Sequence, residues 1–306
     1  MTIAIKTNDL SKSYGTHEAL RELNLTVRTG SVFGLIGPNG AGKTTTLRLL
    51  LDIIRPSSGS VTVLGEEPRA GGADLRRRIG YVPGELRLDG RIKAGALLRH
   101  LAEISGSVAP GAIGELAERL DLDLSRPVRT LSKGNRQKIG LVQAFMHRPA
   151  LLVLDEPTSG LDPLVQREFL AMVREASAAG QTVLLSSHVL SEIQQVADDV
   201  AVLAAGRVVA EGDVPSLRIG GTRRLHATLT GSSPEEIRVA LAAASGVDDV
   251  DVTGTVELVR VAATVRGDMD PAVRAISTGT IRDLTIEEPD LEESVLDLYA
   301  RTKELS

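Results

Sequence analysis

A glycine-rich turn between an apolar strand and a helical stretch constrains this chain more than any other feature. Residues 31–36 are mostly apolar and typical of a buried strand. Between Leu47 and Ile54, apolar residues recur at the spacing of an amphipathic helix. The turn between the two stretches reads Gly37-Pro38-Asn39-Gly40-Ala41-Gly42-Lys43-Thr44-Thr45. A strand that enters a helix through such a turn is the context of a phosphate-binding loop.

The turn fits the P-loop pattern of glycine, four residues, glycine, lysine, and serine or threonine. Glycines let the backbone curl so that several N–H groups point at phosphate oxygens, and the helix N-terminus adds partial positive charge. Lys43 can reach β- and γ-phosphates, and the Thr44 hydroxyl can bind Mg²⁺. The alternative is an ordinary glycine-rich turn with a surface lysine. Because the flanking strand and helix match the pattern, we predict a triphosphate site, with residues 37–45 as its binding loop.

Two adjacent carboxylates end a second apolar strand, Leu151-Leu152-Val153-Leu154-Asp155-Glu156. Ligands of open α/β sheets bind at the carboxyl edge of the strands, where these acids would lie. We expect Asp155 to hold Mg²⁺ through water and Glu156 to polarise a water in line with the γ-phosphate. An acidic strand end that caps the next helix is the alternative, and the pair alone does not decide between the two.

A third motif, Leu131-Ser132-Lys133-Gly134-Asn135, precedes the carboxylate strand. Ser132 is a good N-cap, and Gly134 leaves the backbone bare where a helix N-terminus would face an anion. An ordinary capped helix is the alternative. The motif resembles the LSGGQ signature of the ABC (ATP-binding cassette) ATPases, in which the anion is the γ-phosphate of ATP held by another subunit. The resemblance therefore implies that Ser132, Lys133 and Gly134 contact ATP in a head-to-tail homodimer.

Further residues resemble ABC motifs in the same chain order. The run 159–162, ending at Asp162, resembles the D-loop that passes between the two ATP sites. His188 resembles the switch histidine that contacts the γ-phosphate, and Tyr14 matches the aromatic residue that stacks on adenine. The resemblance covers roughly residues 2–217. It implies a P-loop NTPase core of the ABC ATPase type, with an antiparallel β subdomain and a helical subdomain at about residues 86–148.

Two segments depart from the family pattern. Most relatives carry a glutamine where this chain has Gly84, and that glutamine helps to hold Mg²⁺ and couples the site to the permease. Glu85, one position further on, is the candidate replacement as a metal ligand. The signature carries Lys133 in place of glycine and Asn135 in place of glutamine. These departures bear on the hydrolysis rate and the Mg²⁺ geometry more than on the class of protein.

The distribution of strands and helices predicts two domains. From Leu151 onward, continuous apolar strands at 151–154, 182–186 and 200–203 alternate with helices at 165–178 and 190–197, which predicts a parallel sheet covered on both faces. The pattern breaks near 213–222, so we assign residues 1–217 to a nucleotide-binding domain and 222–306 to a C-terminal accessory domain.

The second domain has the predicted order β-α-β-β-α-β, which indicates a small α+β ferredoxin-like module. Ser233 and Glu236 predict a capping box at its first helix, and two strands are expected around Gly254. A last helix is predicted from Leu291 to Tyr299.

Composition limits the partners. The formal net charge of −5 shows no strongly basic footprint, so no nucleic acid is expected, and the absence of cysteine excludes disulfides, thiolate metal sites and cysteine catalysis. No apolar run approaches the roughly 18–20 residues of a membrane helix, and the first 17 residues lack the apolar core of a signal peptide. We therefore expect a cytoplasmic protein held at the inner face of the membrane by a separate transmembrane permease.

The resemblance implies an ATPase that uses ATP and Mg²⁺ to drive that permease. The C-terminal module is similar to extensions on ATPase subunits of drug and antibiotic exporters, and its run 286–292 resembles the tail of that group, which favours export. Two alternatives stay open. One is an ABC protein acting on ribosomes or DNA, which the single cassette and the lack of sustained heptads disfavour. The other is a module that binds ATP without turnover, which the altered segment at Gly84 leaves open.

Overall fold

The computed structural model describes residues 2–88, 90–214 and 222–287. Contacts divide the chain into two units, the first ending at Asp213 and the second beginning at Val214. Most of the predicted boundary lies outside the described residues, so its position stays a prediction. No helix in the described part of the chain is both long and apolar enough to cross a membrane.

Three strands of the first unit form an antiparallel sheet: β1 (Ile3–Tyr14), β2 (His17–Arg28) and β4 (Ser58–Val63). They pair in the order β2-β1-β4, with β1 in the middle. The alternating apolar residues of β1 and β2 explain this arrangement, because they bury one face, including Ile5, Leu23 and Leu25. The predicted antiparallel β sheet is therefore present.

Six strands form the central sheet: β3 (Val32–Ile36), β5 (Ile79–Val82), β6 (Leu151–Asp155), β7 (Thr182–Ser187), β8 (Asp199–Ala204) and β9 (Arg207–Asp213). Their order is β5-β6-β7-β3-β8-β9, and all neighbours run parallel except β9, which is antiparallel to β8. Every residue of β3, β6 and β7 is buried, which accounts for their continuous apolar sequences. The predicted parallel sheet is confirmed, and it brings the ends of β3, β6 and β7 to one edge.

The described part of the first unit contains these helices: α1 (Lys43–Leu50), α2 (Pro68–Arg77), α3 (Ala94–Ser105), α4 (Ala112–Arg119), α5 (Lys133–Phe145), α6 (Pro163–Ala178) and α7 (Leu190–Val196). The helices predicted over 165–178 and 190–197 are confirmed. Helix α1 ends before the predicted limit at Ile54, because Asp52 takes a left-handed φ of 54° and turns the chain. Ile54 still packs against the core from outside the helix.

The second unit contains β10 (Thr222–Thr230), α8 (Pro234–Ala242), β11 (Val247–Thr255), β12 (Leu258–Arg266), α9 (Asp270–Ile276) and β13 (Thr280–Glu287). This is the predicted element order, and the strands form an antiparallel sheet in the order β11-β12-β10-β13. The capping box at Ser233 and Glu236 is confirmed. Gly254 lies within β11, and the turn to β12 follows two residues later. The helix predicted from Leu291 lies outside the described residues.

Candidate functional site

The glycine-rich turn joins β3 to α1, as the sequence predicts. Gly40 and Gly42 have φ angles of 84° and 110°, in the left-handed region that favours glycine. A side chain on Gly42 would also meet the Ala19 carbonyl oxygen at 2.9 Å. The curl of the loop therefore depends on glycine at these two positions.

Lys43 is buried at the first position of α1 and points into this curl. Its ammonium donates a hydrogen bond of 2.5 Å to the Gly37 carbonyl oxygen and lies 3.2 Å from Glu156 Oε1. A buried cation is stable only with such partners. The loop thus holds a charged donor where the oxygens of a phosphate group would be bound.

Asp155 is fully buried at the end of β6 and accepts two hydroxyl hydrogen bonds. Thr44 Oγ1 donates to its Oδ2 at 2.8 Å, and Ser186 Oγ donates to its Oδ1 at 2.7 Å. The parallel pairing of β6 with β7 places Ser186 directly opposite Asp155. The tertiary fold therefore joins the P-loop threonine to the first of the two predicted carboxylates.

The donors of this pair suit Mg²⁺. A threonine hydroxyl and a carboxylate are hard oxygen ligands, and Mg²⁺ usually takes one or two carboxylates together with substrate phosphates and water. Among the described residues, no group of three or more histidine, cysteine or acidic side chains could hold a metal ion by itself. Thr44 and Asp155 thus fit a metal ion that shares its ligands with a bound nucleotide.

Glu156 follows β6 with a left-handed φ of 47°, an uncommon conformation for a residue with a side chain. Its backbone N–H donates to the Ser186 carbonyl oxygen at 3.1 Å, which ties it to the end of β7. Its carboxylate lies between two groups, with Oε1 facing Lys43 and Oε2 at 2.6 Å from His188 Nδ1. A carboxylate held in this way at the open edge of a sheet can accept a proton from water.

A cavity of about 260 Å³ opens beside these groups. It is lined by Tyr14, His17, Ala19, Pro38, Asn39, Gly40, Gly42, Lys43, Thr44, Thr45 and Glu156. Tyr14 is half exposed, with Lys12 Nζ 5.1 Å from the centre of its ring, so one aromatic surface is available to a flat ligand. The cavity therefore unites most of the nucleotide-binding residues predicted from the sequence.

The predicted signature residues lie outside this cavity. Ser132 caps α5 by accepting the Asn135 N–H at 3.2 Å, and the Lys133 ammonium donates to Ser159 Oγ at 3.1 Å. A side chain on Gly134 would meet the Gly160 carbonyl oxygen at 2.4 Å, so the two loops touch closely here. None of these residues is among those that line the described cavity.

Asp162 serves as the N-cap of α6. Its carboxylate accepts the N–H groups of Leu164 and Val165, both at 3.1 Å. The hydrogen bond from Val165 is the main reason why the pKa of Asp162 lies below its usual value. Within one chain this aspartate is therefore a helix cap, and it does not line the cavity.

Glu85 does not join the cluster around Asp155. Its side chain is exposed, and both carboxylate oxygens accept from the Arg87 guanidinium at 3.0 Å, which lowers the pKa of Glu85. A Cβ atom placed on Gly84 would lie 3.1 Å from Asp155 Oδ2. Position 84 faces the site, and the adjacent side chain is directed to solvent. We therefore do not retain Glu85 as a metal ligand.

Three residues of this region were not found by sequence reasoning: His17 at the cavity, Ser186 beside Asp155, and Glu192 in α7. Glu192 is buried and accepts hydrogen bonds from Thr158 and Ser187, and burial raises its pKa. The pair Ser186-Ser187 at the end of an apolar strand was the available signal, because hydroxyl groups at that edge would face the neighbouring carboxylate strand.

Comparison with known proteins decides the family. The family model described as ABC transporter matches residues 20–159. The bacitracin transport ATP-binding protein BcrA of Bacillus licheniformis is 37% identical over 214 residues, which cover 69% of this chain and 70% of that protein. This chain belongs to the ATP-binding proteins of ABC transporters. It is accordingly an ABC ATPase, and it binds nucleotide.

Two further comparisons extend the likeness of this ABC ATPase. A daunorubicin resistance ATP-binding protein of Streptomyces coeruleorubidus is 35% identical over 304 residues, covering 96% of this chain and 95% of that protein. A solved structure of the ATP binding subunit of an ABC transporter is 31% identical with a TM-score of 0.66, and the match covers 71% of this chain and 92% of that one. The likeness in sequence therefore reaches beyond the first unit.

Proposed function

We propose that this ABC ATPase hydrolyses ATP to power export of a drug-like or antibiotic substrate through a separate transmembrane permease. Bacitracin transport and daunorubicin resistance are the processes named for two of its relatives, and the second relative matches nearly the whole chain. In this proposal the ATPase works in the cytoplasm, peripherally at the inner face of the membrane, and needs no nucleic acid.

The observation that carries the hydrolysis step is the position of Glu156, which lines the cavity and lies between Lys43 and His188. Glu156 is the general base that takes a proton from the attacking water, and His188 orients its carboxylate. Lys43 exchanges its contacts with Gly37 and Glu156 for the β- and γ-phosphates, which frees the base for water. Tyr14 stacks on the adenine.

Thr44 and Asp155 would hold Mg²⁺. When it is bound, this ion would neutralise negative charge on the phosphates. The two side chains are already hydrogen-bonded to each other, and Ser186 keeps the Asp155 carboxylate in one orientation. The protein thus orients both oxygen ligands before the nucleotide enters.

We assign the signature residues to a second ATP site, in a homodimer that forms on ATP binding. This assignment is supported by the contacts of Lys133 and Gly134 with the D-loop. Neither these two residues nor Ser132 lines the cavity of their own chain. The N-terminus of α5, capped by Ser132, would face the γ-phosphate bound to the other copy, with Asp162 close to that interface.

For the second unit we propose a ferredoxin-like module within an accessory domain over residues 222–306. The strand order β11-β12-β10-β13, with α8 and α9 in the two crossovers, supports this classification. The proposed nucleotide-binding domain covers residues 1–217, with the helical subdomain at about 86–148, where α3, α4 and α5 lie.

The test combines hydrolysis with assembly. The purified chain should release phosphate from magnesium-ATP, and E156Q should lower kcat by at least about 100-fold while it still binds ATP. E156Q should elute as a dimer in the presence of ATP. Addition of S132R to this variant should prevent formation of the dimer. Wild-type hydrolysis by E156Q would refute the role of Glu156. Copurification with a membrane permease supports the transport function, whereas copurification with ribosomes or DNA contradicts it.

A further inference from the structure

Glu192 is a buried acid that none of the proposed steps of hydrolysis uses. It lies in the first turn of α7, and its side chain is 7% exposed. A carboxylate is buried at this depth only where hydrogen bonds compensate for lost hydration. Its two partners in the structure belong to the two segments that carry the catalytic residues, which gives this buried group a specific place in the site.

The first partner is Thr158, which donates through Oγ1 to Glu192 Oε2 at 2.9 Å. Thr158 is two residues after Glu156 and is itself buried. Glu156 takes an uncommon backbone conformation, and contacts from outside the following turn help to hold it. The hydrogen bond from Thr158 is such a contact.

The second partner is Ser187, which donates through Oγ to the same Glu192 oxygen at 3.1 Å. Ser187 immediately precedes His188, and its hydroxyl also accepts the Val189 N–H at 2.9 Å. The hydroxyl therefore fixes the backbone on both sides of the histidine. One carboxylate oxygen thus connects the segment after Glu156 to the segment that carries His188.

From this bridge we infer that Glu192 is a positioning residue for hydrolysis, which keeps Glu156 and His188 at hydrogen-bonding distance by holding Thr158 and Ser187 together. The inference rests on the proposed role of Glu156 as the base. Its two hydrogen bonds reach neither catalytic side chain, so the hydrogen-bonded bridge acts through the two segments, and the charge of Glu192 also interacts with Glu156 and His188. Burial also raises the pKa of Glu192, as expected for a carboxyl group enclosed in this way.

Three variants distinguish the loss of the hydrogen bonds of Glu192 from the loss of its negative charge. E192L keeps the size of the side chain and removes both acceptor oxygens. E192Q keeps one oxygen that can accept both hydroxyl protons and removes the charge. T158V removes one of the two donors without changing the shape of the side chain. Q195L is the matched control, because Gln195 is exposed on the same helix.

We expect E192L to lower kcat for magnesium-ATP by about tenfold, because a catalytic pair displaced by a fraction of an ångström loses much of its effect. Its KM for ATP and its bound nucleotide per chain should stay within about twofold of wild type, since the P-loop is not touched. E192Q should recover most of the lost kcat, T158V should fall between E192L and wild type, and Q195L should match wild type.

Histidine resonances provide a readout that does not depend on turnover. In chains with labelled histidine, E192L should shift the His188 imidazole resonances and leave those of His226, in the second unit, unchanged. Wild-type kcat and an unshifted His188 signal in E192L would overturn the inference. If E192L does not fold, T158V combined with S187A replaces it and must show the same two effects. Absence of hydrolysis by the wild type would instead contradict the proposed function itself.

Discussion

Glu156 Oε2 lies 2.6 Å from His188 Nδ1, although the two residues are 32 positions apart in the chain. They meet because β6 and β7 are parallel neighbours, so the residues that follow these strands emerge at the same edge of the sheet. A hydrogen bond from the Glu156 backbone N–H to the Ser186 carbonyl oxygen reinforces this register. The orientation of the proposed base is therefore a property of strand pairing in the central sheet.

This contact predicts the effect of removing the histidine. H188A should lower kcat by roughly 10- to 100-fold, because Glu156 loses the partner that orients it. ATP binding should change little, since Lys43 and the loop backbone remain. Phosphate release and equilibrium binding of a fluorescent ATP analogue measure the two quantities. H100A, which removes an exposed histidine of α3, is the control, and equal rates for H188A and H100A would contradict the assignment.

The buried ammonium of Lys43 predicts a second effect. K43A removes a charge-assisted donor worth about 1.5–3 kcal/mol, so nucleotide affinity should fall by roughly 10- to 100-fold. Titration calorimetry with ATP gives the affinity directly. K6A removes an exposed lysine of β1 and should bind as wild type does. If K43A retained full affinity, the cavity beside the glycine-rich loop would not be the phosphate site.

The exposed position of Glu85 predicts that it has no part in metal binding. E85A should show the same Mg²⁺ dependence of hydrolysis as wild type, because this carboxylate pairs with Arg87 in solvent. D155N should require at least about tenfold more Mg²⁺, since it removes the charge of the carboxylate that is expected to hold the ion through water. A Mg²⁺ titration of the initial rate compares the two variants. A higher Mg²⁺ requirement in E85A would restore the ligand role expected from the sequence.

Two glutamates predict opposite dependences of stability on pH. Burial raises the pKa of Glu192, whereas hydrogen bonds from Arg119 lower the pKa of Glu175. A raised carboxyl pKa gives stability that is present below the unfolded value of about 4.5 and is lost as the pH rises through the folded value. Wild type should therefore lose stability relative to E192Q as the pH rises above the unfolded value.

Glu175 is the matched comparison. Its lowered pKa gives stability that is present above the unfolded value and is lost as the pH falls through the folded value. The melting temperature of wild type relative to E175Q should thus be constant above about pH 5 and decrease below it. Circular dichroism melts of the three proteins over this pH range test both signs. Parallel curves for E192Q and wild type would show that Glu192 titrates normally.

The sequence alone determined the motifs and helix caps whose structure depends on neighbouring residues in the chain. The P-loop, the strand that ends in Asp155, the Ser132 cap and the capping box at Ser233 all depend on contacts within a few residues. Continuous apolar runs predicted the central strands, because only a sheet covered on both faces buries every side chain of a strand. The resemblance to ABC ATPases rested on these local motifs, and the family comparison confirmed it.

Tertiary structure alone decided which side chains face each other. Whether residue 84 or residue 85 faces Asp155 depends on the path of one short segment beyond β5, and motif spacing does not report that direction. The hydrogen bonds of Glu192 to Thr158 and Ser187 join α7 and the end of β7 to the turn that follows β6, which lies far earlier in the sequence. The periodicity of apolar residues predicts which side chains of a strand or helix are buried. The direction of a loop side chain depends instead on contacts that form only when distant strands pair.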